Sequence, residues 1–306
     1  VVLLMISLAS SLGIMLLHWL VPGLTIVQQL QTTLGTIDFN RTLMHGMLGF
    51  LLFAGALHVD LEYFIQRKLT IASLATLGLL MSTLMVGYLS WWIFRLFGFD
   101  VGFLPCLIFG SLISPTDPIA VMGTLKTMDA PKDLEANIAG ESLFNDGVAV
   151  VVFTALVAML GGSTGHGGHE GGLSGWNVVW FFLREAGGGT VLGLVAGYIA
   201  YRMMLSIDDY KVEVLITLAL VMGAYSLAWK LHVSGPIAMV ISGILIGNRG
   251  RALAMSEEVA DYLEKFWELL DEILNALLFM LIGVEVLVIA FSWSSVMAGL
   301  IIILVV

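Results

Sequence analysis

The chain has 306 residues, of which 59% are hydrophobic and only 12% charged, with a mean hydropathy of +0.99. Soluble domains carry about 25% charged residues, so this composition excludes a soluble globular class. The formal charge of −10 says little about partners, because in a bilayer the distribution of Lys and Arg over the loops is what matters.

Repeated apolar runs of roughly 20 residues indicate a polytopic, all-α membrane protein. The single cysteine, Cys106, lies inside an apolar segment, which leaves no disulfide framework and no Cys-based metal site. It is read as a small packing residue. The final residues, 300–306, stop inside an apolar run too short to span. The chain is therefore expected to be a fragment, cut at its C-terminus and at its N-terminus too.

In chain order, residues 1–20 form a first predicted span and 42–59 a second, followed by a charged turn with Asp60, Glu62, Arg67 and Lys68. A third covers 69–94, with Trp91 and Trp92 suited to a membrane interface. The fourth, 103–125, is interrupted. The fifth starts near Pro131 and Asp133 and runs to 160. Residues 161–175 hold eight glycines together with His166 and His169. They read as a flexible connector, since His-Gly-Gly-His without further ligands makes a poor metal site.

The sixth span, 176–205, carries Gly189, Gly193 and Gly197 at four-residue spacing, a ridge that lets another helix approach closely. Arg184 and Glu185 near its start are read as a surface pair at the interface. The seventh covers 212–231, and a short eighth covers 234–247. A charged amphipathic stretch, 248–270, reads as an interfacial helix. It leads into a ninth span ending near 291, and a tenth begins at about 294. The count is thus about nine full spans plus the start of a tenth.

Loop charge is consistent with this order. Arg67, Lys68, Lys126, Lys132, Arg202, Lys211, Arg249, Arg251 and Lys265 fall on one side, and only Arg41, Arg95 and Lys230 on the other. The positive-inside rule then puts the connections after the even-numbered spans in the cytoplasm and the glycine-histidine loop outside.

Ser114-Pro115-Thr116-Asp117-Pro118 interrupts the fourth span. Pro115 and Pro118 each remove a backbone donor and push the preceding residue toward extended geometry. Lipid cannot satisfy the freed backbone groups, so such a break belongs inside protein or against a wet cavity. Asp117 at that break is a functional hypothesis by default. Half-helix ends would turn free carbonyls toward a cation beside it.

The fifth span supplies a second polar group: Glu141, Ser142, Asn145 and Asp146. Glu141 and Asn145, four residues apart, share a face, while Asp146 lies about 100° further round. One reading is an interhelical polar network that only holds the bundle together. The other is an ion site. Carboxylate, hydroxyl, amide and freed carbonyl oxygens suit a dehydrated Na⁺, and a partly desolvated carboxylate binds a proton more tightly. Proton and cation would then compete for Asp146, with Asp117, Thr116 and Ser142 as further Na⁺ ligands.

Gly110 to Val121 and Gly140 to Val151 resemble the bacterial sodium/proton antiporters of the monovalent cation:proton antiporter-1 family, relatives of the eukaryotic sodium/hydrogen exchangers. The segments 51–60, with His58 and Asp60, 232–235, and 266–279, with Asn275, resemble it too. The resemblance covers the whole chain, which would form one exchanger transmembrane domain.

It implies an inverted-repeat antiporter fold of thirteen helices with crossed, broken helices, elevator-like alternating access and a homodimer in the cell inner membrane. It implies exchange of a monovalent cation, Na⁺ first, for H⁺ in pH and sodium homeostasis, with no enzymatic activity, no cofactor and no nucleic-acid partner. By position, Thr116 and Asp117 match the crossing-helix site, Asp146 the essential ion-binding acid and Ser142 an ion ligand. Asn145 stands where electrogenic relatives have a second aspartate, which implies electroneutral exchange.

Glu141 matches an acid that forms a salt bridge with an arginine on a later helix, which would fall beyond Val306. The family's first helix would precede Val1. The chain also departs from the pattern at Ala54, where some relatives carry glutamate, and near Trp229. His58 and Asp60, at a helix end, read as solvated interface residues rather than a pH sensor, and Asn275 as a packing or gating amide. Alternative functions are K⁺/H⁺ exchange, a cation channel and, in a different class, an intramembrane aspartyl hydrolase pairing Asp117 with Asp146.

Overall fold

A computed structural model describes residues 2–20, 42–116, 132–160, 175–285 and 293–305, and among them there are helices and turns but no strand. Helix α1 is Val2–Leu20. A π-helical turn, Thr42–Met47, leads into α2, Leu48–Leu57. Helices α3, Leu61–Ser73, and α4, Leu79–Leu96, are joined by a second π turn, Leu74–Gly78. Helix α5 is Phe103–Ile113, and α6 is Lys132–Met159. Then come α7, Gly175–Met204, α8, Tyr210–Leu231, and α9, Gly235–Leu245. A third π turn, Ile246–Gly250, and one turn of helix, Arg251–Leu253, precede α10, Glu257–Glu285, and α11, Trp293–Val305.

Among the described residues, three stretches are long and apolar enough to cross a membrane by length and composition: Phe64–Leu96, Gly140–Met159 and Tyr210–Leu231. Large apolar side chains face outward along them, among them Leu77, Met81, Leu84 and Met85 of the first and Leu215 and Met222 of the last. Such a surface suits lipid, since water would favour charge there.

Two parts of the predicted order are corrected. The charged stretch after the second span is helix rather than turn. Asp60, in extended geometry, accepts a hydrogen bond from the Glu62 backbone N–H at 2.9 Å and starts α3. An N-cap of this kind overrides the charge that made the segment look like a loop. The stretch 248–270 is not one interfacial helix either. It holds the end of a π turn, a single turn of helix, a break at 254–256, and then the first half of α10, which continues unbroken to Glu285.

Helix α9 lies at the centre. Its cap is Ser234, whose side chain accepts from the Ile237 N–H, and nine of its residues are buried. Helix α7 packs alongside it through its glycines: a Cβ on Gly193 would sit 2.5 Å from the Ala238 carbonyl oxygen. Helix α2 covers another side of α9, and α8 and α10 close the group around Trp267, whose ring lies 4.7 Å from that of Phe53 and whose indole N–H donates to Thr217 Oγ1. Asn248 ties the turn between α2 and α3 to this body. Its amide donates to the Val59 and Ile244 carbonyls and accepts from the Leu61 N–H.

A second group forms from α4, α5 and α6. Helices α4 and α5 approach through Gly87 and Gly110, and Cys106 is buried in that seam as a packing residue. Helix α6 contacts both groups.

Candidate ion-binding site

Helix α5 ends at Ile113, and the chain leaves helical geometry at Ser114–Thr116, directly at Pro115. The predicted break is therefore present on this side. Asp117 and Pro118, the other half of that motif, lie outside the described residues, as do His166 and His169.

Thr116, carried by the interrupted segment, meets α6. Its hydroxyl lies 3.1 Å from Ser142 Oγ and donates to Glu141 Oε2 at 3.3 Å. Asn145 donates through Nδ2 to Glu141 Oε1 at 3.1 Å and reaches Thr116 Oγ1 at 3.5 Å. Ser142 and Asn145 are buried, and no donor among the described residues reaches Asn145 Oδ1. Glu141, Ser142 and Asn145 thus converge on Thr116 because residues one and four apart on a helix flank the same edge. A bare broken strand of backbone would not hold Thr116 in place; these bonds do.

Asp146 is half-buried and faces a cavity of about 520 Å³, which Pro115 and Thr116 also line. On α6 the lining residues Leu143, Asp146, Ala149, Val150 and Phe153 follow the helical period, so Asp146 is the single acid on an otherwise apolar stripe. Leu48, Leu51, Leu52 and Gly55 of α2 form the facing wall.

Helix α10 contributes two polar groups, Asp271 and Asn275, to the same cavity. Asp271 had no assigned role from sequence. The signal was available: 271, 275, 278 and 279 share a helix face that runs from polar to apolar.

Glu185 is corrected. It is buried at 4% exposed, while Arg184 is exposed, so the two do not form a surface pair. Glu185 lies four residues before Gly189, on the face that packs against the start of α9, and its backbone carbonyl accepts from the Ser234 N–H. His58 is exposed. Its Nε2 lies 3.9 Å from Glu264, which also pairs with Arg251 at 2.9 Å, so the solvated reading fits its position.

An all-helical body with a proline-broken segment pressed against an acid-bearing helix defines an integral membrane protein with a polar site at a helix break. The chain belongs to the sodium/hydrogen exchanger family: the description "Sodium/hydrogen exchanger, transmembrane" matches residues 1–306.

Among its relatives is the Na(+)/H(+) antiporter NhaP of Pseudomonas aeruginosa, 52% identical over 271 residues, covering 89% of this chain and 62% of that protein. The Na(+)/H(+) antiporter NhaH of Halobacillus aidingensis is 32% identical over 271 residues, covering 87% of this chain and 64% of that one. The chain thus spans a little under two thirds of the length of these relatives. The solved structure of the sodium proton antiporter MjNhaP1 from Methanocaldococcus jannaschii at pH 8 superposes with a TM-score of 0.66 at 17% identity, covering 92% of this chain and 69% of that one. The antiporter fold expected from the sequence is the fold found.

Proposed function

We propose that the protein exchanges a monovalent cation, Na⁺ in the first place, for H⁺ across the cell membrane, and that Asp146 is the carboxylate for which the two ions compete. The observation that carries this reading is Thr116, held at a proline break by Ser142, Glu141 and Asn145, on the wall of the cavity that Asp146 faces. Hydroxyl, amide and carboxylate oxygens are the hard ligands a dehydrated alkali cation takes.

Asp117, adjacent in sequence, completes the ligand set with Thr116, Ser142 and Asp146. Asn145 contributes a neutral amide, so one carboxylate alternates between one proton and one cation and exchange is electroneutral. Glu141 positions Thr116 and Asn145 by accepting from both. The names of the relatives, sodium/proton antiporters in bacteria, support Na⁺ as the cation. The protein acts as a homodimer, multi-pass in the inner membrane, with residues 161–175 outside.

The test is exchange by the full-length protein in vesicles holding a pH-sensitive dye. Asp146→Asn is expected to bring Na⁺-driven pH recovery down to the protein-free background while the variant still purifies as a monodisperse species. Persisting pH-dependent exchange in Asp146→Asn would overturn the assignment.

A further inference from the structure

The cavity that Asp146 faces is bounded on three sides by α2, α5 and α6, and on the fourth by α10. Its α2 wall offers only Leu48, Leu51, Leu52 and Gly55 among these helical residues, so a cation entering along it would meet no ligand there. Helix α10 is different. Asp271 and Asn275 stand one turn apart on the face that also presents Leu278 and Phe279 to the cavity. Asp271 and the exposed Glu272 are the last acids before an uncharged stretch, residues 273–284, and of the two Asp271 is the half-buried one. A carboxylate half withdrawn from water on the wall of a mostly apolar space interacts with a cation far more strongly than one on an open surface.

We propose that Asp271 is a loading carboxylate: it draws the monovalent cation into the cavity and hands it across to Asp146 on the opposing helix. The proposal rests on the exchange reading above and deepens it, adding a residue that sets how readily the cation is captured. Two acids on different helices, facing one cavity, divide the work. Asp146 lines the cavity together with Thr116 and stands one helical turn after Ser142, on the side where oxygen ligands for a cation gather. Asp271 has the amide of Asn275 beside it on an otherwise apolar face, a setting suited to attraction and release. No covalent step is involved. The cation changes partners, and Asp271 is a positioning residue for transport.

The experiment is Na⁺-dependent exchange by the full-length protein in vesicles, measured over a range of Na⁺ at low ionic strength. Asp271→Asn is expected to raise the apparent KM for Na⁺ several-fold with the maximal rate kept. The difference should shrink as choline chloride is added, because screening removes long-range attraction. Asp271→Glu, which keeps the charge, is expected to keep the wild-type KM, and Asp271→Ser serves as a second neutral variant should the asparagine variant assemble poorly.

An unchanged KM in the neutral variants would overturn the proposal. So would a fall in maximal rate without a KM shift, or a KM shift indifferent to salt, because each is what a packing role produces. Wild-type protein without any exchange would overturn the exchange reading itself, and this proposal with it.

Discussion

Glu213 is fully buried in the first turn of α8, and neither of its carboxyl oxygens has a hydrogen-bond partner among the described residues. Its neighbour one turn on, Thr217, is also buried but accepts from Trp267, so polar groups in this region can be satisfied and Glu213 is not. A buried polar group without a partner costs roughly 1–3 kcal/mol, and replacing it with an apolar group of similar size often stabilises. Glu213→Leu is therefore expected to raise the melting temperature in detergent. A fall of several degrees would mean that the carboxyl is engaged by a segment other than those described. Nothing in the sequence marked this residue, because an acid four residues beyond Asp209 looks like an ordinary first-turn charge. Glu185 was legible in principle, since it precedes Gly189, Gly193 and Gly197 in one four-residue ladder. The adjacent Arg184 drew attention to an ion pair instead.

At the scale of elements, glycine decides how closely helices meet. Gly247 lies so near the Leu57 backbone that a Cβ there would collide with the Leu57 carbonyl, and one on Gly243 would sit 2.6 Å from the Ala56 Cβ. Backbone cannot swing aside as a flexible side chain can. Gly247→Ala is expected to destabilise the packing of the π turn after α9 against α2 by about 1–3 kcal/mol, read as a lower melting temperature.

The glycine ridge of α7 and the break at Pro115 were readable from sequence, because each is a local rule of spacing or dihedral. The π turns and the helical state of Glu62–Lys68 were not. They arise where long-range packing, such as the Asn248 clamp on Val59 and Leu61, fixes backbone that local propensity leaves open.

For the whole molecule, the cavity of about 520 Å³ marks where the α2 side meets the group carrying α5 and α6. If exchange depends on that space, filling it from the side that carries no ligand should stop transport without touching the site. Gly55 lines it, and a Cβ there would make only ordinary contact, 3.6 Å from Leu143 Cδ1. Gly55→Trp is expected to cut the exchange rate of the full-length protein in vesicles by at least tenfold, about 1.4 kcal/mol or more on the barrier, while its thermal stability stays close to wild type. Exchange at the normal rate would put the ion path elsewhere.

The run from Phe64 to Leu96 is 33 residues of helix interrupted only by a π turn. At about 1.5 Å per residue it measures roughly 50 Å, against a hydrocarbon core of about 30 Å. Such a rod has to lean steeply, carry a turn or two into the headgroup layer, or do both, and its registry with the lipid becomes a matter of mismatch. Bilayer thickness is thereby able to bias the angle at which the Pro115 break, packed on this rod through Gly87 and Gly110, is presented to α6.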